Sequence, residues 1–314
     1  MNSRTLYLAA LLLFSMAAIA YGRKFTISTQ WTAQAQFAGY YVAMKKGFYR
    51  EAGVDVEIEH PSTSQFLIPA LKSKKSNIIT LNLMQAMIAR EQGFNVVQIL
   101  QVSSHSGLVI ITRPEITSLE QVRGKRVGRW RIGFTETVDC YFKDKGIEVE
   151  WIPFITNTNL LISGAIDATL GMSYNEYIQL KYTGLRLTDN NVFFLSDLGY
   201  DIPEDGLYCF EDTYNEYEKE MQAIAAASKK GWEYARRHPE EALEIVYSVM
   251  DENHIPVNHV LQRQMFEEIL RLQLDRPGGK ANYKLERDKF MEVSRMMESQ
   301  GQISTIIPYE EFVK

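Results

Sequence analysis

The sequence predicts an α/β protein of two lobes with a helical C-terminal third, and three observations carry that reading. Short apolar runs alternate with helical patterns through most of the chain. The alternation begins afresh at SGLVIITRPEITSLEQVRGKRVGRW, where a strand, a proline turn, a short helix and a new strand open a second series. From Tyr214 to Gln300 the pattern is almost wholly helical, as in EYEKEMQAIAAASKKGWEYARRH and PEEALEIVYSVM.

In the first series KFTIST reads as a strand and QFAGYYVAMKK as a helix stopped by Gly47. VDVEIEH alternates as a half-buried strand does, and TSQFLIPALKS follows as a helix that Pro69 can kink. NIITL is a strand, MQAMIAREQG a helix closed by Gly93, and NVVQILQV another strand. In the second series FTETVDCYFKDKG is helical, IEVEWIPF a strand, NTNLLISG a helix capped by Gly164, and IDATLGM a strand. The expected division is residues 23–108 for the first part of lobe one, 109–199 for lobe two and 200–314 for the mostly helical return to lobe one. Pro114 and Gly199 flank those crossings.

The N-terminus, MNSRTLYLAALLLFSMAAIAYGRK, carries one cation, Arg4, then an apolar run from Leu6 to Ala20 with small residues at Ala18 and Ala20. Residues 1–20 therefore read as a cleaved secretory signal peptide, with a retained anchor as the alternative. The run falls short of the roughly 20 residues of a comfortable membrane span. No cysteine follows the cut to take a lipid, and the mature chain is expected in the periplasm. A net charge of -5 argues against nucleic acid, which is held through clustered cations. The one dense basic run, Lys72, Lys74 and Lys75, reads as a solvated helix end. Cys140 and Cys209 could form one disulfide or stand as two lone buried thiols. There is no GxSxG elbow, HExxH, phosphate-cradling glycine loop or familiar Cys/His pair, so no catalytic residue, metal or cofactor is expected.

Candidate binding residues come from strand ends, because ligands of open α/β sheets bind outside the carboxyl ends of their strands. Trp31, just after the first strand, offers a flat indole face. It opens a crowd at a loop-to-helix junction that includes Gln34, Gln36, Tyr40 and Tyr41. Adjacent helical tyrosines point about 100° apart, so one of them is expected to line a cleft and the other to pack. Asn82 and Gln85 follow NIITL, and Tyr174, Asn175 and Glu176 follow IDATLGM at the corresponding place in the second series. Glu176 can accept hydrogen bonds from a ring amine and its neighbour, or can serve the dipole of the following helix. For Asn82 the rival role is helix capping. Arg129 and Trp130 end the GKRVG strand, where an arginine suits an anionic ligand tail. His105 falls near a crossing between lobes and reads as structural.

WTAQAQFAGYYVAMKKGFYREAGVDVEIE resembles the opening of periplasmic solute-binding proteins of the thiamin-pyrimidine-precursor-binding kind, with their G-x-Y-x-A, KG(F/Y)(F/Y) and GLDVE-type strand. LEQVRGKRVGRW, SGAIDATLGMSYNEY and KKGWEYARRHPEEALEIV resemble later segments of the same family in the same order. The resemblance implies a type II periplasmic binding protein fold, each lobe a mixed sheet flanked by helices. It implies a monomer that binds a small planar, aminopyrimidine-like ligand between its lobes and passes it to an ABC transporter permease in the inner membrane. It also favours Tyr41, which matches G-x-Y, as the cleft tyrosine. An exported module reporting ligand to a histidine kinase is the alternative, and a pyrimidine synthase-like enzyme a more distant one. The chain departs from the family pattern at Ala33-Gln34, where Pro-Asn is usual, at Phe37, where histidine is frequent and the synthases need it, and at Asn77, where aspartate is usual.

Overall fold

The structure, a computed structural model, describes residues 23–61, 67–131, 133–155 and 158–314. The expected signal peptide and the first residues of the TSQFLIPALKS helix lie outside the described residues. The strands are β1 (Lys24–Ser28), β2 (Asp55–Glu59), β3 (Ile78–Leu81), β4 (Val96–Gln101), β5 (Leu108–Thr112), β6 (Arg126–Trp130), β7 (Glu150–Phe154), β8 (Ala168–Met172), β9 (Val192–Phe194) and β10 (Gly206–Phe210). They form two five-stranded sheets, ordered β2-β1-β3-β10-β4 and β7-β6-β8-β5-β9.

Both sheets are mixed. In the first, β1 pairs in parallel with β2 and β3, while β10 runs antiparallel between β3 and β4. In the second, β6 is parallel to β7 and β8, and β5 is antiparallel to β8 and β9. The sequence pattern did not predict β9 or β10. β9 has only three residues, and four of the five residues of β10 are buried, so neither shows the alternation that marks a half-buried strand.

Helix α1 (Ala38–Lys45) lies against α4 (Glu218–Arg237), with α2 (Leu83–Glu91), α3 (Glu176–Lys181) and α5 (His259–Leu272) nearer the gap between the sheets. The approach of α1 to α4 needs two glycines. A Cβ on Gly39 would lie 2.1 Å from the fully buried Trp232 ring, and one on Gly231 would lie 2.1 Å from the Gly39 carbonyl oxygen. Tyr40 packs edge-on to Trp232 with ring centroids 5.8 Å apart. This contact anchors α1 and with it the tight 3-10 turn Ala35–Phe37 that precedes it. The turn is also held from α5, where Gln262 Oε1 accepts the Ala35 N–H at 2.7 Å.

The chain passes between the sheets after β4 and again before β10, and the two crossings are tied together. Asp201 accepts the Ser106 N–H at 2.8 Å, and its other oxygen lies 2.5 Å from His105 Nδ1. That hydrogen bond raises the His105 imidazole above its ordinary value. Glu204 Oε1 accepts from Ser106 Oγ at 2.7 Å and from the Gly107 N–H at 3.1 Å. Cys140 and Cys209 are both buried free thiols on different elements.

Candidate functional site

The carboxyl ends of β1, β6 and β8 converge between the sheets on a small inner chamber. One wall is Trp31, Gln34 and Gln36; the other is Trp130, Phe134, Met172 and the run Tyr174, Asn175 and Glu176. Its free space is about 20 Å³, room for one water.

Glu176 opens α3 and is 6% exposed. Its Oε2 accepts the Met172 N–H at 2.9 Å and its Oε1 accepts from Asn175 Nδ2 at 2.9 Å. Burial pushes the carboxyl above the usual range, while those hydrogen bonds pull the other way. Asn175 Oδ1 accepts from Gln179 Nε2 at 2.8 Å, so both ends of that amide are engaged and Asn175 orients the carboxylate. Gly171 lies beneath, where a Cβ would approach Glu176 Cβ to 2.9 Å.

The opposite wall is a relay of amides. Gln34 Nε2 donates to Gln36 Oε1 at 2.7 Å. Gln36 Nε2 donates to both Asp205 oxygens, at 3.0 and 3.2 Å, and reaches the Tyr174 hydroxyl across the gap at 3.3 Å. Gln30 also donates to Asp205. Asp205 has a left-handed backbone, φ 49°, next to Glu204. Burial pushes Asp205 up to about 6 and Glu204 up to about 8, the latter helped by the charge of Asp205. With Gln36 Nε2 committed to Asp205, its Oε1 takes the Gln34 amide, and Gln34 Oε1 is left as an acceptor.

A larger outer chamber of about 410 Å³ shares Trp31 and Phe134 with the inner one. Its other walls include Leu67, Ile68, Leu81, Ile88, Ala89 and Phe94, with Gln85 and Glu136 among its polar groups. Burial raises the Glu136 carboxyl, which bonds the Gln85 side chain. Among the described residues no lysine or arginine lines either chamber.

Six of the residues singled out from the sequence therefore meet in the inner chamber: Trp31, Gln34, Trp130, Tyr174, Asn175 and Glu176. Gln85 lines the outer chamber instead. Three do not join the site. Tyr41 is fully buried, its ring edge-on to His60 at 5.5 Å and its hydroxyl 3.3 Å from His60 Nε2. Arg129 points to the face of β6 opposite Trp130, with Nη1 3.2 Å from Asp139 and its guanidinium 4.7 Å over Trp151. Asn82 caps α2, accepting the Gln85 N–H at 2.8 Å in a capping box. The inner chamber also takes in Gln36, which the sequence reading noted beside Trp31 without assigning it to binding, and Phe134 and Met172, which it did not single out; Glu204 and Asp205 stand behind the wall, and the adjacent acids in DIPEDGLYCF, set before an apolar run, were their available sign.

The family model described as NMT1/THI5 like matches residues 34–242. The chain belongs to the NMT1/THI5-like family. A formylaminopyrimidine-binding protein of Halalkalibacterium halodurans is 24% identical over 280 residues, covering 81% of this chain and 78% of the relative. A riboflavin-binding protein of Chloroflexus aurantiacus is 22% identical over 256 residues, covering 78% and 71%. The crystal structure of the periplasmic aliphatic sulphonate binding protein of Escherichia coli superposes with a TM-score of 0.65 at 10% identity, covering 93% of this chain and 92% of that one. The fold is thus that of the periplasmic binding proteins. Among the described residues no helix is long and apolar enough to cross a membrane, and no cluster of His, Cys, Asp or Glu could hold a metal ion.

Proposed function

We propose that this protein is the extracytoplasmic ligand-capturing component of an ABC importer, that it catalyses no reaction, and that it binds a planar, amine-bearing heterocycle of the aminopyrimidine type between its lobes. The observation that carries this reading is Glu176, a buried, pre-oriented carboxylate facing a chamber walled by Trp31, Trp130 and Phe134. Flat aromatic walls suit a planar ring, and a carboxylate with lone pairs to spare reads adjacent N–H donors at its edge. The formylaminopyrimidine-binding relative supports the same ligand class. Residues 1–20 as a cleaved signal and the division at 109–199 belong to this reading, as does a monomeric state in the periplasm.

The walls leave room for about one water as they stand, so a ring enters as the lobes part and is held as they close on it, since only contacts better made in the closed form shift the population toward it. A thermal-shift screen of aminopyrimidines, flavins and sulfonates on the purified protein tests the proposal, because a ligand of the native state raises its melting temperature. Aminopyrimidines are expected to stabilise and sulfonates not to. Stabilisation by sulfonates alone would overturn the reading.

A further inference from the structure

The two chambers differ in size and chemistry, yet they share walls. The inner one, walled largely by aromatic side chains around the Glu176 carboxyl, is nearly filled, with about 20 Å³ free, whereas the outer one has about 410 Å³, within the roughly 300–1,000 Å³ of small-molecule pockets. A single planar ring held by Glu176 has little use for that second space. Taking the reading of the cleft above as given, we propose that the ligand is bipartite: a planar, donor-bearing head in the inner chamber and an uncharged apolar arm in the outer one.

Continuity comes first. Trp31 and Phe134 line both chambers, so a substituent leaving a ring between them enters the outer one directly. The lining comes second. Leu67, Ile68, Leu81, Ile88, Ala89 and Phe94 supply an apolar surface from β3, α2 and the segments beside them. The polar groups present are partly spent, since Gln85 bonds Glu136. Charge comes third. With no cation among the described lining residues and the Glu136 carboxyl among them, a phosphate or sulfonate arm would meet like charge and no opposite charge from those residues. An apolar arm gains roughly fourfold in affinity for each methylene removed from water.

Calorimetric titrations of the purified protein test this with 4-amino-5-hydroxymethyl-2-methylpyrimidine as head, its benzyl ether as head with arm, and its phosphate ester as head with anion. In the wild type the ether is expected to bind at least tenfold tighter than the head, and the ester more weakly than the head. Ile88→Trp and Ile68→Trp, which fill the chamber from different segments, are expected to bring the ether-to-head ratio close to one, with melting curves reporting that each variant folds. An ether no tighter than the head, or a ratio unchanged in both variants, overturns the proposal. Failure of all three compounds would instead sink the aminopyrimidine reading. The chamber is then judged with the neutral dye N-phenyl-1-naphthylamine, which should bind the wild type and lose at least fivefold in affinity in the folded variants; equal binding overturns the proposal.

Discussion

The two walls of the inner chamber hold their polar groups in place by different means. On the second-lobe wall Glu176 is fixed locally, by the Met172 N–H and by its neighbour Asn175. On the first-lobe wall Gln34 and Gln36 are fixed from far along the chain, by Asp205 in the segment that returns to the first sheet. A locally fixed group can be altered at modest cost to the rest of the molecule. A group fixed by a buried acid ties the first-lobe wall to the protonation and geometry of the crossing between the lobes, where Glu204 also binds Ser106 and Gly107.

The largest effect that sets the walls apart should be on stability against pH. Glu204, with an ordinary value of 4.5, is held at about 8, and Asp205, ordinarily 3.8, at about 6. Between their unfolded and folded values the native state carries more protons than the unfolded chain. Their contribution to stability is therefore complete below about pH 4 and is lost as pH rises through about 6 and then about 8. Glu204→Gln, which mimics the protonated acid, should gain on the order of 3 kcal/mol relative to wild type between pH 5 and pH 9. Burial holds His60 at about 4 and works the opposite way below its ordinary 6.5, so the difference between variant and wild type is the quantity to follow. Melting curves at unit pH steps would measure it; parallel curves for the two proteins would show that the crossing carries no such linkage.

Next in size is Glu176→Gln, which keeps the shape of the second-lobe wall and removes its charge. A charge-assisted hydrogen bond contributes about 1.5–3 kcal/mol, so affinity for an amine-bearing ring should fall roughly ten- to a hundredfold. Titration calorimetry reads this directly, and unchanged affinity would leave Glu176 as nothing more than the first residue of α3. Trp31→Ala should cost on the order of 1–3 kcal/mol of binding, the range of base-on-aromatic stacking. A lowered melting temperature with unaltered affinity would assign the indole to packing.

What was legible in the sequence follows the same division. The second-lobe wall could be read because Tyr174, Asn175 and Glu176 lie one residue past a strand, and strand ends are where open sheets place ligands. The two-lobe architecture was legible for a related reason: most strands show their own run or alternation between helical patterns. Asp205 could not be read, because its meeting with Gln36 depends on β10 threading between β3 and β4, and β10 shows no alternation. Tyr41 was misassigned because a motif match does not say which of two adjacent helical side chains faces His60 and which faces Trp232. Arg129 was misassigned by one residue of strand pleat, which sends it to Asp139 while Trp130 faces the chamber.

Asn82 gives the smallest expected effect and tests whether position at a strand end alone makes a site residue. It follows β3 at its carboxyl end much as the Tyr174–Glu176 run follows β8, yet its carboxamide oxygen is taken by the Gln85 N–H at 2.8 Å, and it lines neither chamber. Its work is to satisfy an N–H that the first turn of α2 leaves without a helical partner. Asn82→Ala should therefore cost about 1 kcal/mol of stability, a typical value for a lost N-cap. Affinity should stay within about twofold of wild type, as α2 retains its packing and Gln85 its place on the outer chamber. Asn82→Asp, which also accepts from the Gln85 N–H, should recover most of the loss. If Asn82→Ala instead left the melting temperature unmoved and weakened binding tenfold, the cap would be incidental, and the ends of β3 and β8 would serve the ligand alike.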